Sequence, residues 1–132
     1  MYIFADTSAF YALVDKSDQF HETATESLTK ILQNEIPLFT SNYIIVETIS
    51  LLQRRIGMDA VKVFINQIIP TLKVEWINFR IHQKTMSKFL RINRRKLSFV
   101  DCSSFVIMEE NHVEQAFAND KHFEDNGFRL FK

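Results

Sequence analysis

Tyr2-Ile3-Phe4-Ala5-Asp6-Thr7-Ser8-Ala9-Phe10 begins as a short apolar run, breaks off at an acid and two hydroxyls, and turns apolar again. An unbroken apolar run is how a strand buried on both faces of a parallel sheet reads, and the polar break behind it reads as a helix start. In an open α/β sheet the carboxyl ends of the strands line the crevice where ligands bind, so Asp6 is expected at that rim. Three later acids, Glu47, Asp101 and Asp120, stand in contexts that can bring them to the same place. Together the four carboxylates read as a site that binds divalent metal and cuts a phosphodiester.

Working outward, Ser8 to Val14 is a short helix and Asp15-Lys16-Ser17-Asp18 a polar loop. Ala24, Leu28, Ile31 and Leu32 recur at helical spacing on a segment from about His21 to Asn34, and Leu38-Phe39-Thr40 is a short strand. Ser41 is expected to cap a helix through Arg55 that stops at Gly57. Asp59 is expected to cap the next helix, striped by Val61, Phe64, Ile65 and Ile68 and ended by Pro70. Val74 to Ile77 reads as a third strand. Asn78 opens a helix whose apolar face includes His82, Met86, Phe89 and Leu90. Ser98 caps a further helix to about Glu110, Val113 to Ala118 is a fourth strand, and Asp120 starts a short helix before a last strand, Phe128 to Phe131. Strands alternating with helices predict a mainly parallel sheet with helices on both faces.

The bulk properties narrow the classes. A chain of 132 residues with 46% hydrophobic and 24% charged residues is one domain, residues 1–132, with room for a sizeable core. The 13 phenylalanines predict an aromatic-rich interior or an apolar surface that a partner covers. A formal net charge of zero means that any contact with a polyanion must come from a local patch. The single cysteine, Cys102, rules out an internal disulfide, fits a reducing cytosol and reads as an inert buried thiol. No signal peptide and no stretch long and apolar enough to span a membrane is visible, so a cytoplasmic protein is expected.

Each acid also has a purely structural reading. Asp6 and Asp120 sit where helix caps sit, and Asp101 stands three residues after Ser98, at capping-box spacing. A cap and a ligand are compatible, because the partial positive charge of a helix N-terminus favours an ionised carboxylate. Glu47 weighs most. Residues 44, 47, 48 and 51 share a helix face and read Ile, Glu, Thr, Leu, so a glutamate interrupts an apolar stripe in mid-helix. A buried ionised group is paired or coordinates metal; the structural reading is an ion pair with Arg54 or Arg55, or a stripe edge open to solvent. Oxygen ligands without His or Cys suit Mg²⁺ or Mn²⁺, which can polarise a phosphoryl oxygen and lower the pKa of a bound water. Thr7 and Ser8 can hold Asp6 in place, although hydroxyls after a cap are also ordinary turn chemistry.

His21, His82, His112 and His122 show no paired ligand spacing, and structural roles are expected for all four. Two glycines exclude a Gly-rich phosphate loop in practice, and no serine sits in a nucleophile elbow. The basic run Arg91-Ile92-Asn93-Arg94-Arg95-Lys96 precedes the Asp101 helix and is expected near the acidic rim. Arg94 and Arg95 are its better phosphate-binding candidates, with Lys121 a weaker one, although a solvated helix end reads the same way.

The chain resembles the PIN-domain nucleases, and within them the small VapC-like toxins. The resemblance runs over nearly the whole length. It rests on Ile3-Phe4-Ala5-Asp6-Thr7-Ser8-Ala9, Asp18-Gln19-Phe20-His21, Thr40-Ser41-Asn42-Tyr43 leading to Glu47, Leu97-Ser98-Phe99-Val100-Asp101, and Asn119-Asp120-Lys121-His122-Phe123 followed by Gly127-Phe128. It implies an α/β/α sandwich and an endoribonuclease dependent on magnesium or manganese, with Asp6, Glu47, Asp101 and Asp120 as the acidic quartet. It also implies a homodimer and a cognate antitoxin. Val100 and Cys102 depart from the small residues common beside the third acid, without removing a ligand. Two other classes compete: a catalytically idle member of the fold that holds RNA or a protein, and a receiver-like phosphoacceptor using Asp6, which leaves Glu47 and Asp120 unexplained.

Overall fold

Five short strands form a single sheet in the computed structural model, which describes all 132 residues. They are β1 (Ile3–Ala5), β2 (Leu38–Ser41), β3 (Lys73–Glu75), β4 (Gln115–Phe117) and β5 (Arg129–Leu130). Their spatial order is β3-β2-β1-β4-β5, and all four pairings are parallel. Phe4 lies opposite Phe39 on one side and Ala116 on the other. β1 is therefore central and buried on both faces, which is why its sequence is continuously apolar. The chain winds outward from β1 to β3, then returns to the other flank of β1 for β4 and β5. That reversal puts the switch point of the sheet between β1 and β4, at the carboxyl end of the opening stretch.

Seven helices flank the sheet: α1 (Thr7–Val14), α2 (His21–Gln33), α3 (Asn42–Arg55), α4 (Met58–Val63), α5 (Phe79–Ile92), α6 (Phe99–Glu110) and α7 (His122–Asp125). This is the expected α/β/α sandwich. Three expected caps are found, each side chain accepting from a backbone N–H: Ser41 from Ile44, Asn78 from Ile81, Ser98 from Asp101. Residues Cys102 to Met108 of α6 are all buried, so this helix runs through the core and is apolar almost all round. Its Ser103 and Ser104 hydroxyls donate to the Val100 carbonyl, which satisfies them without water.

The phenylalanines are mostly interior. Phe4 meets Phe39 edge-on at 5.3 Å, Phe105 meets Phe123 edge-on at 5.5 Å, and Phe10 meets Phe64 at 5.1 Å. Each buried phenyl contributes on the order of 1.5–3 kcal/mol by leaving water. No helix is long and apolar enough to cross a membrane.

Four local expectations are corrected. Gly57, at φ 129°, precedes α4, and Asp59 lies in the first turn without capping it. The helical run ends within a residue of Pro70, as expected, but not as one α-helix: α4 gives way to a π-helical turn, Phe64–Ile68, then a 3₁₀ turn, Ile69–Thr71, that contains Pro70 near its start. A proline tolerates that position because the missing N–H has no helical partner there. The wider turn leaves Ile65 exposed while Phe64 is buried. The buried face of α5 is Ile81 and Thr85, with Phe89 and Ile92 half-buried, whereas Met86 and Leu90 are exposed, Leu90 at 75%. The true face is thus turned about 100° from the expected one, a single residue in phase. Lastly, Asp120 lies before α7, which begins at His122.

Candidate active site

Asp6 ends β1 and is the N-cap of α1, with only 5% of its surface exposed. Its Oδ2 accepts from the Ser8 backbone N–H at 3.1 Å and from the Ser8 hydroxyl at 2.7 Å. The Ser8 oxygen in turn accepts from the Asn119 N–H at 2.9 Å. One hydroxyl thus clamps the acid at the end of β1 to the loop behind β4, and that loop carries Asp120. On the other side, the Thr48 hydroxyl donates to Thr7 Oγ1 at 3.1 Å, pinning α3 to the start of α1 with Glu47 beside the joint. Asp101 is held by a full capping box: its backbone N–H donates to Ser98 Oγ, and the Ser98 N–H donates back to its Oδ2.

These contacts bring all four acids to one open cavity of about 540 Å³, lined also by Thr7, Ser8, Ser50, Arg54, Lys96, Ser98 and His122. Glu47 is half-buried and makes no ion pair with Arg54 or Arg55, so the salt-bridge reading of that residue fails. Carboxylates gathered without paired cations repel one another and resist ionising. Burial, chiefly, pushes Asp6 up to about 7; the two Ser8 hydrogen bonds oppose this, and the Asp101 and Glu47 charges add to it. Burial likewise raises Glu47, opposed by the Thr7 hydroxyl and reinforced by Asp101 and Asp120. Asp101 is raised by burial first, against the Ser98 hydrogen bonds, with Asp120 adding and His122 opposing. A group of acids strained in this way is relieved by a divalent cation, and oxygen donors of this kind suit a hard one.

The cations differ in detail from expectation. Arg94 and Arg95 are exposed and do not line the cavity; Lys96, from the same run, does. Lys121 and Arg55 line an adjoining cavity that shares Ser8, Leu51, Asp120 and His122 with the first. Sequence reasoning passed over Arg54, Lys96 and His122. Arg54 was legible, since it lies two turns beyond Glu47 on the same helix face. His122 was not, because its place depends on a loop between β4 and α7 that no periodicity describes. Cys102 is buried, as expected.

The family model described as PIN domain matches residues 3–129. The 23S rRNA-specific endonuclease VapC20 of Mycobacterium tuberculosis, in both strains compared, is 32% identical over 128 residues, covering 96% of this chain and 95% of that protein. The crystal structure of that VapC20, described as a sarcin-ricin loop cleaving toxin, superposes with a TM-score of 0.81 at 31% identity over 96% of this chain and 95% of that one. FitAcB from Neisseria gonorrhoeae superposes with a TM-score of 0.68 over the whole chain and 97% of its own, at 11% identity, a likeness of fold alone.

Proposed function

This chain belongs to the PIN-domain family, and from that premise we propose that it is a metal-dependent endoribonuclease of the VapC toxin type. Asp6, Glu47, Asp101 and Asp120 are its catalytic acids and hold Mg²⁺ or Mn²⁺. The observation that carries this is the convergence of four carboxylates, from segments up to 114 residues apart in sequence, on one cavity at the switch point of the sheet. Acids gathered without a paired Lys or Arg, three of them raised by burial, are costly to a fold and are retained where a cation compensates them.

When bound, a divalent cation supplies Lewis acidity toward a phosphoryl oxygen and a more acidic water. The chain's own residues do the rest. Asp6, held by Ser8, presents its carboxylate at a fixed place; Ser98 does the same for Asp101 through its capping hydrogen bonds. Arg54 and Lys96 stand on the cavity wall and receive the phosphate oxygens that flank the cut. Arg94, Arg95 and Lys121 contact phosphates further along the strand. RNA is the substrate, and the relative's cleavage of the sarcin-ricin loop makes that loop the first one to try. A cognate antitoxin, a homodimer and a cytoplasmic setting complete the reading.

The test is cleavage of a mixed RNA pool, and of a sarcin-ricin loop RNA, with Mg²⁺, with Mn²⁺ and with EDTA. Cleavage that needs metal and is lost in Asp6→Ala and Glu47→Ala supports the enzyme. Retention of RNA without cleavage under every metal condition would make the chain an idle binding module instead.

A further inference from the structure

We propose that His122 is itself a ligand of the cation, which makes the centre a mixed carboxylate–imidazole site that prefers Mn²⁺ to Mg²⁺; this rests on the nuclease reading above. Ligand atoms of Asp101, Asp120 and His122 all lie within 4.8 Å of one another, and no other group of three or more His, Cys, Asp or Glu residues is so close. An ion with bonds of about 2.1–2.2 Å places neighbouring ligands ~3 Å apart and opposed ones ~4.3 Å apart, so three groups within 4.8 Å need only a small side-chain adjustment to close on one ion. Nε2 of His122 stands 3.7 Å from Asp120 Oδ1, beyond the range of a hydrogen bond. Its ring makes no hydrogen bond within the chain, whereas His21 is bonded to the Ala12 carbonyl and His82 to Tyr43.

The backbone already fixes the trio. The His122 N–H donates to Asp120 Oδ1 at 2.9 Å, which locks the histidine to the neighbouring acid. Asp101 has one oxygen tied to the Ser98 N–H and leaves the other for an ion. The side chain of His122 is one-third exposed, enough to face the cavity and too little to be a free surface group. The ring thus keeps a nitrogen free to bind an ion beside two carboxylates that the backbone already anchors. Imidazole nitrogen binds first-row transition ions, while Mg²⁺ demands oxygen and keeps its waters.

The experiment loads the full chain with Mn²⁺ and reads it by pulsed EPR, alongside calorimetric affinities for Mn²⁺ and Mg²⁺. Wild type is expected to show ¹⁴N modulation from a bound imidazole. His122→Gln, with its fold checked by circular dichroism, loses that modulation and about tenfold or more in Mn²⁺ affinity, while Mg²⁺ affinity moves by less than about threefold. Bound Mn²⁺ without ¹⁴N modulation, or modulation that survives in His122→Gln, overturns the assignment and leaves the nuclease reading standing, provided that Asp101→Asn releases the ion. Failure of wild type to bind either ion would sink both.

Discussion

Asp6 is where burial and charge act most strongly against each other. Its carboxyl is pushed up to about 7, chiefly by burial, from an ordinary value of 3.8. In the metal-free protein the native state therefore keeps a proton that the unfolded chain gives up near pH 4. Stability drawn from this group is full below pH 4, falls as the pH rises through the window from 4 to 7, and is gone above it. Glu47 and Asp101, raised by the same cause, steepen the fall. In EDTA, wild type should lose melting temperature from pH 5 to 8. Asp6→Asn, which has no charge to bury, should flatten that slope and melt higher at pH 8, by at most about 4 kcal/mol of stability. A steeper slope in the variant would count against the assignment of cause. Asp101→Asn keeps an oxygen for the Ser98 N–H, so it should fold within about 1 kcal/mol of wild type by urea titration. Cleavage should drop about a hundredfold or more, at the upper end of losses from disturbed metal sites. Full activity in that variant would remove Asp101 from the ligand set.

Among the elements, α5 separates what periodicity can and cannot supply. Ile81, Thr85, Phe89 and Ile92 and the set His82, Met86, Phe89 and Leu90 are two helical stripes sharing one phenylalanine, and both are mainly apolar. Hydrophobicity favours the first, which sets two isoleucines against the histidine of the second. The helix packs along α6 with the first face inward, where the Thr85 hydroxyl is satisfied by donating to the Ile81 carbonyl. Chemical denaturation should then find Ile81→Ala destabilising by about 2–5 kcal/mol and Leu90→Ala by about 0.5 kcal/mol or less. Equal costs would mean that the helix is turned the other way. The same lesson holds for the segment after Gly57, where a π-helical turn shifts the stripe and exposes Ile65.

For the molecule as a whole, a net charge of zero leaves RNA binding to a local field. Arg54 and Lys96 stand on the wall of the acidic cavity, and Arg94 and Arg95 stand outside it. Filter binding of single-stranded RNA in Ca²⁺, across a salt series, should show each of Arg54→Ala and Lys96→Ala reducing the slope of log K against log salt by about 0.7, the value of one phosphate contact. Arg94→Ala should reduce it by less. If Arg94 carried the larger share, the strand would leave the cavity by a route other than the one the wall cations define.

The sequence by itself determined the alternating architecture, most of the caps and which four acids come to line one cavity. These are local matters: a run of apolar residues, a hydroxyl three residues ahead of an acid, a glutamate on an apolar stripe. Each leaves its mark within a turn or two of chain. Tertiary structure alone decided which cations meet the acids and that His122 stands with Asp101 and Asp120. Those depend on contacts between segments far apart in the chain, such as the Ser8 hydroxyl receiving the Asn119 N–H, and pairing at that distance leaves no periodicity to read.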